Sequence, residues 1–479
     1  MPLLLALHGA GAQPHQDFQR AFLIGIVSGV VYFGGTLYWI TEVMVTYGGL
    51  KRPVSLAVNG LLVAYLALFP GLFSVAVVAM MMKFGSLALL LAPMVWVTTE
   101  LGRMYFLGGF PWELLGYSQT TVLPVAQFAS VFGVHGLSAL VASVSATVTY
   151  AIVSRGYGRW VPVLFSVSIV TLTAAWGVWR LENGVLLKEG TPLRVGLLQG
   201  NVEQDVKWNP AMGDEILTRY LTMTRKAADN GADLVIWPES STPFTFEDDY
   251  DGSQAIRQLA QETGTHLLIG STQIDRKASL RYYNAAFLVD QKGETKAVYH
   301  KMHLVPFGEY VPFRRALFFV SPLVETVADF SPGTAPVMLP VAEHLVSTAI
   351  CYEIIYPGLI QRFVSGGSEL LTTITNDAWY GHSAAPYQHF EQATLRAVEQ
   401  GRYLVRAANT GISGVIDPYG RIIAQAGLFK SDVIMGDVRL LTGRTVYGRI
   451  GDLFAYLCVA ATLAALFLSF RARGSACGS

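Results

Sequence analysis

Residues 345–351 read LVSTAIC, and the chain runs on through Tyr352 and Glu353 to Tyr356, Pro357 and Gly358. A short apolar run rich in β-branched residues, followed within a few residues by a Pro-Gly pair, predicts a strand that turns sharply into a helix. Such a joint belongs to a layered α/β domain. It also singles out Cys351. A cysteine at a strand end is commonly a core residue. On a sharp strand-to-helix turn its sulfur would instead be exposed and would face helix amides, which lower its pKa and form an oxyanion hole.

The surrounding chain carries the same alternation. Runs at 193–199, 232–237, 266–271, 282–290, 344–351 and 370–375 read as strands, and 214–228, 254–262 and 391–401 carry helical spacing. Further strands are expected at 403–408, 414–417 and 433–438, with Asp417, Pro418, Tyr419 and Gly420 as a hairpin turn. No repeat of fixed period is visible.

Two more polar residues stand where apolar runs end, the usual place for the site of an open α/β sheet. Residues 233–237 (DLVIW) lead into Pro238 and Glu239. A carboxylate fixed there among bulky apolar groups is expected to have a raised pKa, suited to a general base; alone, it reads rather as an exposed turn glutamate. Residues 299–312 (YHKMHLVPFGEYVP) form a loop dense in Pro, Gly and aromatics, in which Lys301 offers a positive charge to a developing oxyanion. Alone, it too reads as a solvated lysine. A base, a cation and a thiol at consecutive strand ends form a complete acyl-transfer set.

This water-facing part, about 190–445, is flanked by chain of another character. Of the 479 residues 52% are hydrophobic and only 14% charged, with a formal net charge of zero. The mean hydropathy is +0.41. No excess positive charge speaks for nucleic acid, and the scattered Cys351, Cys458 and Cys477 form neither a disulfide framework nor a metal-ligand spacing. No metal, nucleotide or other cofactor motif is present. Apolar runs at about 21–40, 56–80, 84–100, 125–152 and 160–179 are long enough to span a bilayer. Lys83 separates the second from the third, and Pro70 and Gly71 predict a kink. A last run at 452–470, followed by Arg471 and Arg473, closes the chain as an anchor, so the expected division is 1–180, 190–445 and 452–471. Six spans put Arg20, Lys83, Arg155, Arg159, Arg471 and Arg473 on one side, against Lys51, Arg52, Arg103 and Arg180 on the other. The first set is expected to be cytoplasmic and the large domain outside. The opening twelve residues, broken by Pro2 and His8, are too short to span.

On these residues the chain resembles the nitrilase, or carbon-nitrogen hydrolase, superfamily, whose Glu-Lys-Cys triad matches Glu239 in IWPES, Lys301 in YHKMHLVPFGEYVP and Cys351 in AICYEIIYP. More narrowly it is similar to the membrane branch of that superfamily, the apolipoprotein N-acyltransferases. Residues 106–112 (FLGGFPW), 198–208 (LQGNVEQDVKW), 375–386 (TNDAWYGHSAAP) and 409–413 (NTGIS) carry the narrower likeness. The resemblance implies an αββα sandwich outside an α-helical transmembrane bundle, with no cofactor and no metal. Glu239 would be the proton acceptor, Lys301 the stabiliser of the tetrahedral intermediate and Cys351 the acyl carrier. Glu309, Asn284, Tyr352, Glu353 and Trp379 would be supporting residues, and Trp208 a substrate contact on a mobile arm. The family has eight spans, seven of them before the catalytic domain; the count here is five before and one after, two fewer at the start. Tyr380 stands where the family often has phenylalanine.

The implied reaction has two halves. Glu239 takes the thiol proton, and Cys351 attacks an acyl ester of a phospholipid, the sn-1 chain of phosphatidylethanolamine by this likeness. A thioester forms and a lysophospholipid leaves. The free α-amino group of the lipid-modified N-terminal cysteine of a diacylated apolipoprotein then attacks the thioester, giving an amide. The expected setting is the bacterial inner membrane, with the catalytic domain periplasmic and the chain monomeric. A membrane-anchored amidohydrolase would share the triad and differ in using water or a small amine. A transporter or scaffold that merely binds lipid would need charges at mid-membrane, whereas Glu42, Glu100, Arg103 and Glu113 sit near span ends.

Overall fold

The computed structural model describes residues 1–9, 14–207, 209–277, 279–310 and 329–474. The chain divides into two compact units, one of Met1–Glu42, Lys51–Asn183 and Ile450–Ser479, the other of Val43–Leu50 and Gly184–Arg449.

The first unit is helical. Among the described residues five stretches are long and apolar enough to cross a membrane: Asp17–Thr36, Arg52–Gly108, Ala129–Val153, Tyr157–Leu187 and Leu453–Arg471. Their outer faces carry Leu61, Leu164, Phe165 and Phe467 uncovered, as suits helices solvated by lipid. The longest stretch takes in both the 56–80 and 84–100 runs. Helix Arg52–Phe84 passes through Pro70 and stops at Gly85, whose φ of 59° breaks it; a 3-10 segment, Gly85–Leu91, then leads into helix Ala92–Tyr105. In lipid there is no hydrophobic drive between helices, so close packing has to hold them. A Cβ on Gly25 would lie 2.3 Å from the Pro70 carbonyl oxygen, and one on Gly29 2.7 Å from the Ala67 Cα. Small residues four apart on helix Pro14–Thr36 thus let it rest on the backbone of Arg52–Phe84.

The FLGGFPW stretch is held from within this unit. Arg103 Nη1 donates to the carbonyls of Trp112 at 2.7 Å and Phe110 at 3.2 Å, and Nη2 to that of Glu113 at 3.2 Å. Glu100 Oε1 accepts from the Leu115 amide at 2.7 Å. A Cβ on Gly109, at φ 76°, would fall 1.8 Å from the Met104 carbonyl oxygen, which explains a glycine there. These charges near the end of a span serve to bind a loop.

The second unit is an αββα sandwich. Its strands are β1 Thr191–Gln199, β2 Leu234–Ile236, β3 His266–Asp275, β4 Arg281–Val289, β5 Thr295–His300, β6 Leu339–Val341, β7 His344–Ile350, β8 Leu370–Thr375, β9 Leu404–Ala408, β10 Gly414–Ile416, β11 Ile422–Gln425 and β12 Asp432–Leu440. They form two six-stranded sheets, ordered β12-β1-β2-β3-β4-β5 and β11-β10-β9-β8-β7-β6. Each has two parallel pairs, β1/β2 and β2/β3 in one, β7/β8 and β8/β9 in the other, and antiparallel pairs elsewhere.

Central strands are buried on both faces, so neighbours such as Leu197 and Leu198 are both enclosed. One face of the first sheet, with Leu198, Val235, Trp237, Leu267, Ile269 and Phe287, packs under Ile216, Tyr220 and Ala227 of helix Gly213–Asp229 and Ile256 of helix Tyr250–Thr263. The other face meets the second sheet, close enough that a Cβ on Gly436 of β12 would lie 2.6 Å from Val415 of β10. Helices Pro357–Ser365 and Ala385–Gln400 belong to the second half. Three strands escape the sequence reading. β6 has only three residues and exposed β11 (IIAQ) only four, β5 (TKAVYH) carries too little apolar character, and all three owe their conformation to a partner strand.

The glycine packing is testable. Gly29→Leu should force Pro14–Thr36 off its neighbour and destabilise the bundle by about 1–3 kcal/mol, read as a lower unfolding temperature in detergent, whereas Gly34→Leu, where a side chain meets open space, should leave it unchanged. Equal behaviour of the two variants would refute the role of the contact.

Candidate active site

Glu239 is delivered by the end of β2. Trp237 stacks on Tyr220 at 4.9 Å and donates its indole N–H to Thr224 at 2.9 Å, pinning the strand under the helix. The next residues cross over β3 at Gly270, where a Cβ would lie 2.3 Å from the Pro238 oxygen and 2.7 Å from the Glu239 Cα. Only a glycine admits that crossing. Ser241 N donates to the Gly270 carbonyl at 2.8 Å, and Ser240 takes a φ of 47°.

The carboxylate so placed is fully coordinated. Glu239 Oε1 accepts from Asn284 Nδ2 at 2.7 Å and Lys301 Nζ at 3.2 Å, and Oε2 accepts from the Asn376 amide at 2.9 Å. Lys301 Nζ and Asn284 Nδ2 both also donate to Glu309 Oε1, at 2.9 and 2.8 Å. Glu309 Oε2 accepts from the Val305 amide at 2.8 Å, which folds the Pro-Gly loop back on itself. Lys301 is only 1% exposed, so it is no solvated lysine, and Glu239 at 6% is no exposed turn residue.

Cys351 follows β7 at the start of the 3-10 turn Cys351–Ile355, with a φ of 54°. The left-handed backbone of a non-glycine residue costs about 1–3 kcal/mol and persists where its surroundings dictate it. Lys301 and Glu239 both lie within electrostatic reach of the thiol. The turn is the one the sequence predicts, but two electrostatic expectations are corrected. Burial, joined by the negative charge of Glu239, raises the Cys351 thiol well above its ordinary value, outweighing Lys301. Nor is the residue exposed as expected: Cys351 is buried, and the turn that holds it is one short 3-10 segment. For Glu239 burial pulls upward, but Lys301, the Asn284 hydrogen bond and Lys207 together hold its pKa below the ordinary glutamate value. The resting site thus pairs a neutral thiol with an ionised carboxylate.

Glu353 ties the two loops together. Its Oε1 accepts from the Tyr299 hydroxyl at 2.8 Å and the Met302 and His303 amides at 2.6 and 3.1 Å, and its Oε2 from the Ile350 amide at 2.8 Å. The residues flanking Lys301 and Cys351 are thereby fixed to one carboxyl group. Tyr352 packs edge-on against Tyr356 at 5.3 Å, and Tyr356 stacks on His303 at 4.4 Å. Trp379 lies in the 3-10 turn Asp377–Tyr380, just beyond Asn376, with its ring 5.1 Å from that of Tyr47. Trp208 lies outside the described residues.

Three participants escape a sequence reading. Asn376 acts through its backbone amide, which leaves no side-chain signal. Lys207, buried, donates to the Glu239 carbonyl at 3.3 Å; burial depresses its pKa to about 8 against the pull of Glu239. Asn409 bonds Val202 through both ends of its amide and also Asn376, stitching the 198–208 arm to the 375–386 segment. The signal for all three was their place in the 198–208, 375–386 and 409–413 stretches.

A family model described as carbon-nitrogen hydrolase matches residues 194–446, and one described as apolipoprotein N-acyltransferase N-terminal domain matches residues 1–147. An apolipoprotein N-acyltransferase of Geobacter metallireducens is 41% identical over 98% of this chain and 90% of its own length. Those of Methylococcus capsulatus and Vibrio cholerae are 35% and 34% identical, over 90% and 98% of this chain and 84% and 91% of their own. Among solved structures, an amidase from Nesterenkonia sp. aligns with a TM-score of 0.41 at 21% identity, covering 53% of this chain and 93% of its own.

Burial raises Glu353 from 4.5 to about 7 against the pull of its amide donors. The folded protein therefore holds a proton between those values that the unfolded chain has lost. The stabilisation this brings is complete below 4.5 and disappears as pH rises through about 7. Wild type should lose on the order of 3 kcal/mol across that window relative to Glu353→Gln, which cannot titrate. Parallel unfolding curves for the two proteins against pH would contradict this.

Proposed function

The chain belongs to the apolipoprotein N-acyltransferase family, and from that premise we propose that Cys351, Glu239 and Lys301 carry an acyl chain from a membrane phospholipid to the α-amino group of a diacylated apolipoprotein. The observation that carries the reading is the buried Lys301, shared between Glu239 and Glu309 within electrostatic reach of the Cys351 thiol. Burial opposes its charge, and the two carboxylates more than restore it, so the ammonium is permanent.

In the first half-reaction the thiol proton passes to Glu239 as sulfur bonds to the ester carbon. A thiol of raised pKa is not a standing nucleophile, so proton loss and attack occur together. Negative charge then grows on the former carbonyl oxygen, and Lys301 offsets it. The C–O bond breaks, Glu239 returns its proton to the departing alkoxide, and lysophospholipid leaves a thioester on Cys351. In the second half-reaction the apolipoprotein amine attacks that carbon and gives a proton to Glu239. The C–S bond breaks, the sulfur regains a proton and an amide is released. Glu309 and Asn284 keep the ammonium and the carboxylate at their spacing in both halves.

Both substrates are lipids, which supports the division of the chain into transmembrane helices at 1–180 and 452–471 around a catalytic domain at 190–445. The excess of Lys and Arg on one set of span ends supports a bacterial inner-membrane setting with the catalytic domain periplasmic. The reading takes the chain as a monomer, with Tyr352, Glu353 and Trp379 lining the site and Trp208 on the arm that meets substrate.

Incubation with phospholipid should give, by intact mass, one acyl adduct that is absent from Cys351→Ala and is discharged by a diacylated lipopeptide. Persistence of the adduct in Cys351→Ala would remove the nucleophile assignment, and discharge to water alone would point to a hydrolase. Glu239→Gln should bind phospholipid and acylate at least about 100-fold more slowly; acylation at the wild-type rate would remove its role as base.

A further inference from the structure

Beneath Cys351 lies a group of polar side chains that no step above uses. Asp377, His389 of helix Ala385–Gln400 and Arg406 of β9 are all enclosed. Arg406 Nη2 donates to Asp377 Oδ2 at 2.7 Å and lies 3.0 Å from His389 Nδ1, which is itself 3.1 Å from Asp377 Oδ1. His389 Nε2 points the opposite way and meets the carbonyl oxygen of Cys351 at 3.1 Å. A carbonyl only accepts and a guanidinium only donates. Nε2 therefore carries a proton and gives it to Cys351, while the lone pair of Nδ1 suits Arg406.

Asp377 also reaches Cys351 by a second route. Thr375 Oγ1 donates to Asp377 Oδ1 at 2.9 Å, and the same hydroxyl hydrogen-bonds the Cys351 thiol. One carboxylate thus anchors both the carbonyl and the sulfur of that residue. Gly411 makes room for it, since a Cβ there would lie 2.3 Å from Asp377 Oδ2.

Stability alone does not account for this arrangement. A buried ion pair is commonly no better than an apolar replacement, and Arg406 Nε and Nη1 are buried without a hydrogen-bond partner among the described residues. What the group does hold is a cysteine at φ 54°, a conformation that needs external support. We propose that His389 is a positioning residue, fixed by Arg406, which Asp377 holds in turn, and that it grips the carbonyl of Cys351 so that its thiol stays aimed at the acyl carbon. The proposal rests on the reading of Cys351 as nucleophile.

Two near-isosteric variants test it. In His389→Gln the amide N–H reaches the place of Nε2 and keeps the bond to Cys351. In His389→Asn the side-chain carbonyl oxygen reaches only the place of Nδ1, keeping the bond from Arg406, while the bond to Cys351 is lost. Single-turnover acylation should fall about 100-fold in kcat in the Asn variant, with KM for phospholipid unchanged, and recover to within about tenfold of wild type in the Gln variant. Equal rates in the two variants, or a loss confined to KM, would overturn the proposal. Alkylation of Cys351 by iodoacetamide, read on its peptide, should follow the same order, and it judges the clamp without reference to acyl transfer. An adduct surviving in Cys351→Ala would strike the nucleophile reading instead. Should neither variant fold, nitrogen-15 spectra of histidine-labelled wild type decide: a proton on Nε2 of His389 is expected, and a bare Nε2 refutes the grip.

Discussion

The ammonium of Lys301 sits 2.9 Å from one carboxylate and 3.2 Å from another, with 1% of the residue exposed. Removing such a charge from water costs several kcal/mol unless its surroundings return the lost solvation. Here two glutamates do so. Because Glu239 follows β2, Lys301 follows β5 and Glu309 closes the loop beyond, that single requirement brings three separate parts of the chain to one point. Asn284 on β4 donates to both carboxylates and so ties them to each other as well as to the lysine. The sandwich gives each residue a rigid strand to stand on, and the site fails if any strand shifts.

From that arrangement the proton chemistry follows. A permanent ammonium keeps Glu239 ionised, and burial together with the ionised Glu239 keeps the nearby thiol protonated. The site rests with its base ready and its nucleophile masked, and the thiolate arises only as a substrate carbon consumes it. A masked thiol is also less prone to oxidation while the enzyme waits. The same neutrality leaves the aim of the sulfur to geometry, and here the strained backbone of Cys351 and the contacts of His389 and Thr375 take over.

The fold was legible where burial is two-sided and local. The β-branched runs before Trp237 and Cys351 could only be central strands, and the apolar helices could only be lipid-solvated or deeply buried. Short β6 and β11 and amphiphilic β5 were not legible, because their conformation is imposed by a neighbouring strand. The glycines show the same limit. Gly270 looks like any strand glycine until the chain is seen crossing over it, and Gly25 and Gly29 matter only because Pro70 and Ala67 lie opposite. Asn376 shows it most plainly, since a backbone amide has no residue type to read.

By itself the sequence determined that an acid and a cysteine follow apolar strand runs with a lysine in a Pro-Gly loop between them, that the segments around them are those of one family, and that apolar helices flank them. Residue type and periodicity are local properties, and they suffice for that. Only the tertiary structure decided the charge states, reversing the expected shifts of both Glu239 and Cys351. A pKa is set by what lies within a few ångströms in space, and Lys207, Asn284 and Asn376 come there from distant positions in the chain. For the same reason the structure alone exposed His389, whose grip on Cys351 spans 38 residues of sequence and 3.1 Å of space.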